Sequence, residues 1–338
     1  MMPPLRRLLL LALSVASVTV LSYGTHSLNF YDQRIVITIG ISMILATSLN
    51  LINGFTGQFS LGHAGFMSIG AYTSAALSTM LLPVLGIDIT SGIGGMLAFF
   101  VTLAVGGLAA AVVGLLVGIP SLRLKGDYLA IVTLGFGEII RVILQNVNTG
   151  TISGPLGISS IPHVTTFAWV FGVVIVVVFV VQSIMSTTYG KGFLAVRDDE
   201  IAAESLGIDT TRYKVVAFVI GAFFAGIAGG LYAHYNGLIR PDDFNFLKSV
   251  EIVVMVILGG MGSTWGVLLA AGLLTYLPEW LRDKRIGDVN LGDFRMTIYA
   301  LALIILMLVR PQGLFGGLRL NQMIRRLLIA FRVTQNSR

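Results

Sequence analysis

Apolar residues run along this chain in long, nearly unbroken stretches rather than alternating or recurring on one helical face. A helix that crosses a membrane needs about 20 mostly apolar residues. Stretches of that kind fall at roughly 8–22, 35–53, 61–82, 92–118, 128–147, 166–186, 214–236 and 296–310. One more, 250–277, is interrupted by Gly259, Gly260 and Gly262. In lipid a spanning segment must satisfy its own backbone, so these stretches read as helices. The pattern predicts an all-α integral membrane protein of about eight transmembrane helices plus a broken or re-entrant helix pair.

Composition makes the membrane the main solvent. The 338 residues are 55% hydrophobic and 11% charged, with a mean hydropathy of +0.89. Soluble domains carry roughly 25% charged residues, and a globule of this size could not be coated with so few. The net charge of +6 would suit nucleic acid in a soluble chain, but here the basic residues mark cytoplasmic loops and no nucleic-acid partner is expected. Cysteine is absent, which excludes a disulfide frame, a thiolate nucleophile and a cysteine-ligated metal. Arg6 and Arg7 followed by Leu8 to Leu21 resemble a signal peptide, yet no clean small-x-small cleavage site precedes Tyr23. An uncleaved first helix is the expectation.

Basic residues then set the orientation. Arg6 and Arg7 place the N-terminus in the cytoplasm, and counting spans puts Arg123 and Lys125 on that side too. The polar loop 187–213, with Lys191, Arg197 and Arg212, falls there as well, while 148–165 has no Lys or Arg and falls outside. Arg319, Arg325, Arg326, Arg332 and Arg338 make the tail cytoplasmic. That works only if 250–277 enters, breaks at its glycines and returns to the side it came from.

Two segments mix glycine with small polar residues between apolar flanks: Asn50–Gly65 and Ile257–Gly266. Backbone that leaves the helix at membrane depth must face protein or water, and paired interruptions point towards a transport pathway. The first supplies Asn53, Gly54, Gly57, Gln58, Ser60, Gly62 and His63 as pathway candidates, and the second Gly259, Gly260, Gly262 and Ser263. Tight turns account for the same residues, and the two roles are compatible. Gly106, Gly107, Gly226, Gly229 and Gly230 read instead as close helix packing. Glu138 and Arg141, at i and i+3, can pair across one turn. Intramembrane charges are functional candidates, although a structural pair fits equally. Glu251 reads as interfacial, and His234 as a packed residue near the end of its span.

The largest polar insert carries a short helix. Asp198 or Asp199 can cap a helix through Ile201–Leu206, with Gly207 ending it. Ile201, Ala202, Ser205 and Leu206 then form a small apolar stripe suited to a partner's groove. No catalytic apparatus is visible: Gly190-Lys191-Gly192 lacks the spacing of a phosphate loop, and neither HExxH nor Gly-x-Ser-x-Gly occurs. The four His are widely separated, so no metal site and no cofactor are expected. Energy must come from elsewhere.

At these residues the chain resembles a known family. Asn53-Gly-Phe-Thr-Gly-Gln-Phe-Ser-Leu-Gly-His63 and its continuation to Tyr72 resemble the signature of LivM-like permeases of branched-chain amino-acid ABC importers. Val196-Arg-Asp-Asp-Glu-Ile-Ala-Ala-Glu-Ser-Leu-Gly-Ile208 resembles the family's cytoplasmic coupling segment, and Glu251–Gly266 and Arg310–Gly316 resemble its later motifs. The resemblance covers roughly residues 35–317, dividing the chain into an N-terminal helix and outer loop (1–34), a permease domain and a basic cytoplasmic tail (318–338). It implies a bacterial plasma-membrane importer with a second permease subunit, two ATP-binding-cassette ATPases and a periplasmic or extracellular solute-binding protein. Asp199, Glu200, Ala202, Ala203 and Gly207 would lie in the ATPase-docking segment, and the glycine clusters would flank the pathway. Permeases for urea and short amides share the Gly-Gln-x-Ser-Leu-Gly-His pattern, so cargo stays open between them and branched-chain or related amino acids. A secondary transporter driven by an ion gradient is the reading from another class, with Glu138 as its candidate acid.

Overall fold

The computed structural model describes residues 29–90, 92–121, 127–149, 152–282, 285–286 and 289–290, together with 297, 300, 301 and 304. The expected first span, 8–22, and the basic tail lie outside the described residues. So does 296–310, apart from Thr297, Ala300, Leu301 and Ile304, which are helical.

Helices dominate. They are α1 (Phe30–Asn50), α2 (His63–Ala76), α3 (Gly92–Ser121), α4 (Asp127–Asn146), α5 (Phe167–Met185), α6 (Thr188–Asp198), α7 (Glu200–Ser205), α8 (Thr210–Asn236), α9 (Phe246–Gly259) and α10 (Thr264–Arg282). Among the described residues, six helical segments are long and apolar enough to cross a membrane: Phe30–Phe55, His63–Val84, Gly92–Ser121, Tyr128–Asn146, Phe167–Met185 and Thr210–Asn236. They match the six central stretches of the hydropathy pattern. Two elements outrun the sequence reading. The first helix begins earlier than expected and continues through a π-type turn at Leu51–Phe55, so that only 56–62 leaves the helix before α2. The polar insert 187–213 is mostly helical, because α6 precedes the expected short helix.

The bundle is built on α8, which packs against both α2 and α3 along a seam of small residues. A Cβ on Gly70 would collide with the backbone of Gly226, and one on Gly226 would meet the Ala110 Cβ and the backbone of Gly106 and Gly107. Apolar burial alone gives membrane helices little reason to associate, since lipid tails are equally apolar, and close backbone approach supplies the van der Waals contact instead. Phe66 and Phe218 meet edge-on at 5.3 Å beside this seam. The outward row of α3, including Met96, Phe100 and Leu116, is exposed, as a lipid-facing surface requires.

Helices α9 and α10 form the broken pair. They pack against each other and against α1, joined by the turn Gly260–Ser263, where Gly260 and Gly262 take φ of +91° and +81°. The tip of this hairpin meets the far end of α1, because Gly262 N donates to Asn50 Oδ1 at 2.9 Å. The C-terminal end of α10 meets the beginning of α1, with Tyr31 Oη donating to Glu279 at 2.6 Å and Arg282 donating to Tyr31 at 3.2 Å. A 21-residue helix separates those two places by about 30 Å. The pair therefore runs to one end of the bundle and returns.

Candidate functional site

The two glycine-rich breaks, 208 positions apart as counted from Gly54 to Gly262, sit against each other. Gly54 has no room for a side chain: a Cβ there would strike Asn50 and the Gly262 backbone nitrogen. Beside them lies Arg197, from the end of α6. Its Nη1 donates to Gly54 O at 3.4 Å, and a Cβ on Gly57 would lie 2.9 Å from its Cγ. Thus the break after α1, the tip of the α9–α10 hairpin and the polar insert share one joint.

Most of the expected pathway residues are packed inside this joint. Asn53 accepts from Ser60 N at 3.3 Å, Ser48 Oγ lies 2.8 Å from His63 Nε2, and His63 is fully buried. Gly62 lies against the backbone of Thr133 in α4, whose hydroxyl accepts from Leu61 N at 3.0 Å. Gly259 is pressed against Val267 across the hairpin, and Ser263 accepts from Gly266 N at 3.2 Å. Gln58 is buried as well, but on the side facing the polar insert.

That insert is firmly built. Asp199 caps α7, its Oδ1 accepting from Ile201 N at 2.9 Å and Ala202 N at 3.0 Å. Gly207 ends the turn at φ +81°, a left-handed conformation that costs other residues about 1 kcal/mol. The inner face is held by three contacts. Lys214, 3% exposed, is paired with Glu200 at 2.6 Å; Thr210 donates to Glu204 at 2.7 Å; and Ala203 is buried. The outer face presents Ile201 and Leu206, 70% and 81% exposed, with Ala202, Ser205 and Gly207 exposed between them. Helix α6 anchors the assembly by burying Phe193 and Val196, with Phe193 edge-on to Tyr213 at 5.7 Å.

Charges at the other end of the bundle are tied together. Arg141 pairs with Glu138 at 2.7 Å and with Asp242 at 3.1 Å, while Gln145 donates to the same Asp242 oxygen at 2.9 Å. Glu251 pairs with Lys248 at 2.9 Å. His234 is fully buried; its Nδ1 donates to Gly230 O at 2.8 Å. Sequence spacing indicates the Glu138–Arg141 pair, but nothing local indicates Asp242, which arrives from the turn after α8. No group of His, Cys, Asp or Glu among the described residues could hold a metal ion.

The sequence profile described as "Branched-chain amino acid transport system / permease component" matches residues 9–309. The chain belongs to this family. It is a multi-pass membrane permease, a transport component rather than an enzyme. The permease is 38% identical over 339 residues to the high-affinity branched-chain amino acid transport system permease protein LivM of Escherichia coli, covering 90% of this chain and 73% of that protein. It is 37% identical to LivM of Salmonella typhimurium, covering 81% and 67%. A permease protein named LivH, also from Escherichia coli, is 25% identical over 81% of this chain and 90% of its own length. One organism thus has two permeases of this kind, LivM and LivH, each similar to this chain.

Proposed function

We propose that this chain is one of two permease subunits of an ATP-driven importer of branched-chain amino acids, docked through α6–α7 to an ATPase. The observation that carries the reading is the outer face of α7, a capped helix locked from beneath by Lys214–Glu200 that leaves Ile201 and Leu206 exposed. An amphipathic helix held this way is a ready insert for a partner's groove. Cargo and the second permease follow from the relatives' names: both LivM and LivH are branched-chain amino acid permeases of one organism. A solute-binding protein at the opposite end of the bundle supplies affinity, so the permease itself need not hold cargo tightly.

In this reading the end bearing α6 and α7 faces the bacterial cytoplasm, as do both termini, and the spans 8–22 and 296–310 bring the crossings to about eight. The α9–α10 hairpin is the re-entrant pair. The Gly54–His63 and Gly259–Ser263 clusters flank the pathway from within. ATP binding changes the transporter only by favouring one arrangement over another, and the Arg197 joint is where a displaced α7 meets both breaks.

The test is uptake of labelled leucine into proteoliposomes holding the assembled importer and its binding protein. Uptake should require ATP inside and be competed by isoleucine and valine but not by urea. Competition by urea or short amides would move the cargo, and ATP-independent uptake driven by an ion gradient would overturn the class.

A further inference from the structure

Gln58 belongs to the segment that resembles the family signature, and its side chain faces the polar insert. It lines a polar cleft of about 310 Å³ between the 56–59 turn and the insert, against roughly 30 Å³ for one water. Around it stand Thr56, Arg197, Asp198, Asp199, Glu200 and Lys214. Gln58 is 7% exposed, and its Oε1 is buried with no hydrogen-bond partner among the described residues. A buried acceptor left unpaired costs about 1–3 kcal/mol, so this atom is open to a further donor.

The surrounding charges say which kind. Arg197 is paired with Asp198 at 2.8 Å, and Lys214 with Glu200. Asp199 caps α7 and pairs with no cation among the described residues. Among the described residues the cleft therefore carries one uncompensated negative charge beside an unsatisfied acceptor, and it opens next to the exposed stripe of α7. We propose that the cleft receives a cationic side chain, arginine or lysine, from the ATPase that docks on α7, with its N–H donating to Gln58 Oε1. The inference rests on the docking reading and adds the chemistry of the contact. Binding there would seat the partner's charge directly on the turn that joins α1 to α2.

The experiment measures affinity of the detergent-solubilised permease for the purified ATPase subunits of the same importer, with three variants. Gln58→Leu removes the acceptor and should weaken binding about tenfold or more, the scale of a hydrogen bond to a charged group. Gln58→Glu keeps an acceptor and adds a negative charge, so binding should hold or tighten and become more sensitive to salt. Ile201→Asp with Leu206→Asp is the control for docking itself and should abolish binding. Unchanged affinity in Gln58→Leu, or a tenfold loss in Gln58→Glu, overturns the cationic contact while the control still supports docking. Should Gln58→Leu fail to fold, Gln58→Met, of similar length and also without the acceptor, takes its place with the same two outcomes. Wild-type affinity in the double-aspartate control overturns docking, and the cleft contact with it.

Discussion

The insert separates residues that hold α7 from residues it offers. Glu200 stands against Lys214, which is 3% exposed, so Glu200→Ala strands a buried ammonium. Removing one partner of a buried pair costs about 3–5 kcal/mol; with Glu200 24% exposed, the lower end of that range applies. Thermal unfolding in detergent should show a lowered midpoint, restored in part by the double change Glu200→Leu with Lys214→Met. Ile201→Asp should leave the midpoint alone, since exposed substitutions stay within about 0.5 kcal/mol. The place of Glu200 in the short capped helix was legible in the sequence, but its inward direction was not. That depends on Lys214, one turn into the next helix. Gly207 was legible in full, because a glycine after a short capped helix has one usual conformation, and φ is +81° here.

Elements report how far hydropathy carries and where it stops. Long apolar stretches gave the six candidate spans to within a few residues, and the glycines of 250–277 marked the break between α9 and α10. Helix α6 was missed because Gly190 and Gly192 look like loop residues. In the structure Gly192 is where Tyr213 packs, with no room for a Cβ, and Gly190 lies on the backbone of Met185. Contact between the two breaks was out of reach for a different reason: no local pattern records which distant backbone fills the space beside Gly54. The α3–α8 crossing gives a prediction at this scale. Gly226→Leu places a branched side chain where Gly106, Gly107 and Ala110 of α3 approach, and overpacking costs about 1–3 kcal/mol. Folded permease recovered from membranes should fall, and Gly94→Leu, at a helical position where a Cβ meets nothing within 4 Å, should not show that loss.

For the whole molecule, the hairpin and the insert define two ends. The turn of the hairpin and α7 share one end, and the start of α1 and the end of α10 share the other. In the proposed topology 296–310 crosses once, so accessibility tags in 283–290 and after 320 should report opposite faces of the membrane. Tags on the same face would remove either that crossing or the return of α10. Ile201→Asp with Leu206→Asp in the assembled importer is the most direct test. ATP-dependent leucine uptake should be lost while the folded permease and its companion permease still co-purify. Wild-type uptake in that variant would contradict coupling through α7 and leave the importer reading without its power connection.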